Sequence, residues 1–147
     1  MRQEKYAGGM TLIELLVVVA IVAILASIAV PSYSRFVQQT NRTDATKTMQ
    51  SAAQSLERCY SRTFKYTACN VNGTVVNNGS TIQTPNLFYR ITVVMPDAQD
   101  YTLTAVAIAA PQTTDNQCTQ FTLSSGGVQA ALDNNASNTT KACWGSN

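Results

Sequence analysis

The sequence predicts an α+β protein in which a long N-terminal α-helix packs against a four-stranded antiparallel β-sheet. Three observations predict it. An apolar stretch from Met10 to Val30 runs on, with no glycine before Arg62, into a segment of helical periodicity. Later segments alternate apolar and polar residues and are rich in β-branched and aromatic types. Turn dipeptides and a glycine pair separate them. At 147 residues the chain fits one modest domain, with a first third too apolar for a soluble core alone.

The first element is a basic leader and a span. Met1–Gly9 carries Arg2 and Lys5 against Glu4 and ends in Gly8-Gly9. From Met10 to Val30 only Thr11, Glu14 and Ser27 interrupt the apolar run. As a helix this stretch rises about 31 Å, enough to cross a hydrocarbon core. The basic flank predicts a cytoplasmic leader and translocation of everything after Val30. A cleaved secretory signal would place its small residues after the apolar run. Here Ala7-Gly8-Gly9 precede it, and Ala26-Ser27-Ile28-Ala29 is the weaker mimic of a late site. A plain anchor accounts for everything except Glu14. A carboxylate inside a spanning helix costs about 2–3 kcal/mol, so it needs a partner. Cleavage after Gly9 would give Met10 a free α-amino group, which can pair with Glu14 of a neighbouring subunit when helices bundle.

The helix continues beyond the span. Pro31 removes one backbone donor and is expected to kink or loosen it. Ala45, Met49, Ala52, Ala53, Leu56 and Tyr60 recur at spacings of three and four, a stripe that reads as core. Arg42, Asp44, Lys47, Gln54, Glu57 and Arg58 fill the remaining faces. The chain therefore divides into a leader over 1–9, a membrane or filament-core half-helix over 10–30, an amphipathic half-helix over 31–62, and a globular head over 63–147.

In the head, Lys65 to Pro85 is rich in Asn, Thr, Gly and Ser and reads as a connecting loop, with room for a small hairpin through Thr74-Val75-Val76. Four strands are expected, at Phe88–Met95, Tyr101–Ala109, Gln120–Leu123 and Val128–Leu132, with turns at Pro96-Asp97 and Ser125-Gly126-Gly127. Cys59 and Cys69 flank the helix end, Cys118 opens the third strand, and Cys143 lies near the C-terminus. Their even number and lack of a C-x-x-C pair favour two disulfides in an oxidising compartment over metal or redox chemistry. Three pairings are possible and sequence alone does not settle among them. The preferred one joins Cys59 to Cys69 and Cys118 to Cys143.

Gly8-Gly9-Met10-Thr11-Leu12-Ile13-Glu14-Leu15-Leu16, with the apolar run and Val30-Pro31-Ser32-Tyr33, closely resembles the prepilin signature of type IV pilins. The resemblance implies the type IV pilin fold, cleavage between Gly9 and Met10 by prepilin peptidase, N-methylation of Met10, and Glu14 as the assembly carboxylate. Met10 departs from the phenylalanine usual at that position. In the head, Leu56-Glu57-Arg58-Cys59-Tyr60, Tyr101-Thr102-Leu103-Thr104-Ala105, Cys118-Thr119-Gln120-Phe121-Thr122-Leu123 and the closing Cys143-Trp144 look like small minor pilins of the PilE kind. The implied partners are other pilin subunits, the peptidase and methyltransferase, and the inner membrane before assembly. The head is then periplasmic until the subunit joins a surface pilus.

Composition narrows the remaining functions. A formal charge of +2 with 12% charged residues asks for no nucleic acid or acidic partner at the level of the whole chain. With no histidine, Ser-His and Cys-His catalysis cannot be built, so neither an enzyme nor a cofactor is expected. The Asn-x-Ser/Thr triplets at Asn72, Asn78, Asn135 and Asn138 read as incidental to an Asn- and Thr-rich loop. Arg58, Arg62 and Lys65, interleaved with Tyr60, Phe64 and Tyr66, have two readings. The preferred one is solvated cations near the negative helix end with packed aromatics. The other is DNA contact, since some members of the family bind DNA during natural transformation. The expected function is therefore a structural minor pilin. The alternatives are a pilus-borne DNA receptor and a type II secretion pseudopilin, the latter disfavoured by the clipped tail and the lack of an acidic cluster.

Overall fold

The computed structural model describes residues 11–145, and the chain divides after Phe36 into two compact units. Gly9 and Met10 therefore lie outside the described residues. Helix α1 (Leu12–Thr63) contributes to both units. It opens on a capping box: the Thr11 N–H donates to Glu14 Oε2 at 2.8 Å, and the Glu14 N–H donates to Thr11 Oγ1 at 3.3 Å. Residues 11–36 are exposed throughout, and this part of α1 is long and apolar enough to cross a membrane. Pro31 lies inside α1, with helix on both sides, and its missing N–H leaves the Ser27 carbonyl without the usual partner.

The second unit is built on the buried stripe of α1. Ala45, Met49, Ala52 and Leu56 are completely buried. They belong to one core with the inward positions of a five-stranded antiparallel sheet: β3 (Thr81–Gln83), β4 (Tyr89–Val94), β5 (Thr102–Ala107), β6 (Gln120–Ser124) and β7 (Gln129–Leu132), neighbours in that order. Tyr89, Ile91, Val93, Leu103, Ala105, Phe121 and Ala131 point inward. Each large apolar side chain buried here stabilises by about 1.5–3 kcal/mol. The two-residue period turns the intervening positions outward, so Thr81, Thr92, Thr104 and Thr122 line up in one cross-strand row.

The sheet thus has five strands where four were expected. The extra one, β3, comes from the stretch read as loop. It is three residues long, too short to show a period, and its state is imposed by pairing Thr81, Ile82 and Gln83 with Thr92, Ile91 and Arg90. The same stretch holds a two-stranded hairpin of β1 (Cys69–Val71) and β2 (Thr74–Val76). Asn72 and Gly73 turn it with φ of 51° and 87°, the left-handed pair that a tight hairpin turn requires. Beyond β7 a short helix, α2 (Thr140–Trp144), was not foreseen.

α2 and the chain before it close the β7 edge. The Ala131 N–H donates to Thr140 Oγ1 and the Thr139 N–H to the Ala131 carbonyl, each at 2.9 Å. Trp144 Nε1 donates to the Ala130 carbonyl at 2.9 Å. Disulfides join Cys59 to Cys69 and Cys118 to Cys143. The first ties the β1–β2 hairpin to the end of α1, and the second ties α2 to the segment entering β6. A polar cluster fixes the β5–β6 connection on α1. Arg42 grips Asp115 through two bonds of 2.6 and 2.7 Å, and buried Gln112 bridges Asn41, Tyr89 and the Gln38 carbonyl.

Candidate nucleic-acid interface

The C-terminal turns of α1 present cations to solvent. Arg58 and Arg62 are four residues apart, one turn, so both fall on the same face. Lys47 lies eleven residues before Arg58, about three turns, and shares that face. All three are exposed, as is Lys65 just beyond the helix. Arg58 and Arg62 line a groove of about 340 Å³ with Ser55, Cys59, Thr63 and Asn70. The opposite wall is therefore the start of the hairpin, held there by the Cys59–Cys69 bridge. Arg58 Nη2 donates to Ser55 Oγ at 3.1 Å. Among the described residues the one ion pair is Arg42–Asp115, so Arg58, Arg62 and Lys65 make no salt bridge with a carboxylate.

Glu57, the acid nearest to Arg58 and Arg62 in the sequence, is turned elsewhere. It accepts the Tyr66 hydroxyl at 3.0 Å and the Tyr101 hydroxyl at 3.1 Å. Burial, with the adjacent carboxylate, pushes the Tyr66 hydroxyl up to about 12, so it stays a proton donor across the physiological range. Tyr60 stacks on Tyr66 with ring centroids 4.5 Å apart, and Tyr66 meets Tyr101 edge-on at 4.7 Å. Two of the three interleaved aromatics are thus packing residues. Phe64 is different. It meets Tyr60 edge-on with centroids 6.3 Å apart, yet it ends the helix in the left-handed region at φ 55° and is 74% exposed, so its ring can still offer a face to solvent.

Of the residues singled out from sequence, Arg58 and Arg62 come together in the groove, Lys65 stands exposed beyond it, and Glu14 and Pro31 belong to the other unit. Lys47 and Asn70 were missed. The spacing of eleven could have found Lys47, whereas Asn70 reaches the groove only through the disulfide and the hairpin.

Comparison with known families fits this geometry. Residues 5–30 match the prokaryotic N-terminal methylation motif. Residues 31–122, more than half of the chain, match the family described as "Type IV minor pilin ComP, DNA uptake sequence receptor". The chain is a type IV minor pilin. A subunit of this kind is a component of the type IV pilus, and the α+β architecture of this minor pilin is the one its family implies. Its prepilin-type N-terminus and apolar helix fit membrane anchoring followed by a place in the pilus.

Proposed function

We propose that this minor pilin is a DNA receptor carried on the pilus, and that it receives DNA on the cationic end of α1. The observation that carries the reading is the groove in which Arg58 and Arg62 stand without an ion pair, with Lys65 and exposed Phe64 following them in the chain. Guanidinium and ammonium groups free of carboxylates contact phosphates by displacing counterions, and an exposed ring can stack on a base. The matched family's description as a DNA uptake sequence receptor supports the same reading. The cations are solvated and Tyr60 and Tyr66 pack, as the sequence preferred; the proposal adds that these cations and exposed Phe64 are available to DNA.

The remaining roles complete the proposal. Prepilin peptidase cuts between Gly9 and Met10, Met10 is methylated, and the residues before it stay cytoplasmic. The head crosses to the periplasm while residues 10–30 hold the inner membrane, and the helix then bundles with other pilin subunits. The molecule acts by assembly and binding rather than by catalysis. Full-length protein in detergent micelles, titrated into labelled duplex DNA by fluorescence anisotropy at several salt concentrations, tests the receptor. Replacing Arg58, Arg62 and Lys65 together by Ala is expected to weaken binding. It should also flatten the plot of log affinity against log salt by about 0.9 for each phosphate no longer neutralised. An unchanged affinity and slope would refute the assignment.

A further inference from the structure

β3 is an edge strand with its outer side unused. The Val93 N–H donates to the Ser80 carbonyl at 2.8 Å and the Thr84 N–H to the Tyr89 carbonyl at 3.1 Å. Alternate residues of β3 therefore face β4, and the N–H and C=O groups of Thr81 and Gln83 face away from it. Among the described residues no other strand pairs with them. They open into a groove of about 690 Å³ whose walls include Asp44 and Lys47 of α1, Val71 of the hairpin, and Pro85. Asp44 is half-buried, and its Oδ2 is shut from water without a hydrogen-bond partner, the one such side-chain atom among the described residues. Its charge has no ion-pair partner among them either.

We infer that this groove binds an extended polypeptide segment of a partner protein by strand addition to β3, with one Lys or Arg of that segment set against Asp44. A strand edge offers donors and acceptors at the spacing of an extended backbone, which another backbone complements and a sugar–phosphate chain does not. Asp44, the one carboxylate on the wall and without an ion pair of its own, favours a cationic side chain over a phosphate. Lys47, one turn on from Asp44, disfavours a second cation, so the groove selects a single basic residue rather than a basic run. Pro85 has no N–H to offer, which confines the added pairing to the two residues Thr81 and Gln83 and makes the interaction a weak, exchangeable one. This site is separate in chemistry from the cationic groove at Arg58 and Arg62.

The probe is a labelled seven-residue peptide of alternating valine and threonine with a central arginine, added to the full-length protein in detergent micelles. Anisotropy should show binding that weakens at least fivefold when the arginine is replaced by glutamate, when the peptide amides facing β3 are N-methylated, and in the Asp44→Asn protein. Amide exchange over 81–83 should slow on adding the peptide. No binding at millimolar peptide, or equal binding of the arginine and glutamate peptides, would overturn the proposal. So would slowed exchange over 81–83 on adding duplex DNA, which would give the groove to nucleic acid. Slowed exchange on raising protein concentration alone would give it to a second copy and likewise overturn it.

Discussion

Asp115 is almost completely buried yet holds its charge because of what surrounds it. Burial resists ionisation, but the two-pronged bond and charge of Arg42, with the N–H groups of Gln117 and Cys118, outweigh it and hold the carboxyl below its ordinary value of 3.8. A folded value below the unfolded one means that the stabilisation is complete above about pH 4 and is lost as pH falls through the lowered folded value. Asp115→Asn is therefore expected to cost about 3 kcal/mol near neutral pH, since it leaves Arg42 without its counter-charge. It should also lose less than the parent protein when urea unfolding is repeated at about pH 3. Equal loss in both would place the acid sensitivity elsewhere. No sequence pattern pointed to this pair, because its members lie 73 residues apart. The Cys59–Cys69 bridge was legible for the opposite reason, since its members lie ten residues apart. The cationic set was half legible: Arg58 and Arg62 stood out, but their freedom from carboxylates depends on Glu57 turning to Tyr66 and Tyr101.

At the scale of elements, α1 carries two different environments. Residues 11–36 bury nothing within the chain, whereas Ala45, Met49, Ala52 and Leu56 are fully buried in the second unit. Leu56→Ala should destabilise the protein by about 3 kcal/mol in a urea melt followed by far-ultraviolet dichroism, and Leu16→Ala should leave that melt in place. A similar shift for both would mean that the apolar half also supports the core. The long helix and strands β4 to β7 were readable because each spans enough residues to show its own period; their ends moved by one or two residues. β3 and α2 were not, being three and five residues long and held by neighbours rather than by propensity. The hairpin was foreseen in outline from Thr74-Val75-Val76, and its Asn72-Gly73 turn is what fixes its register.

For the whole molecule, the matter is how a membrane helix becomes part of a filament. Glu14 lies in the first turn of α1 with Oε2 taken by Thr11 of its own chain. Glu14→Ala is expected to leave cleavage before Met10 intact, read as the intact mass of the protein from membranes. It should remove the subunit from sheared surface pili, read by immunoblot. Normal amounts in the pili would end the pairing argument. The head raises a different matter of assembly. Thr139, Thr140 and Trp144 close one side of the sheet, and the other side is left bare at Thr81 and Gln83. Fibrous stacking of sheets needs two bare sides on every copy, one to receive and one to offer. Among the described residues the five-stranded sheet has one bare side, so it can accept a single added strand, and growth through this sheet stops there. Such a sheet is protected from zipping into a runaway fibre.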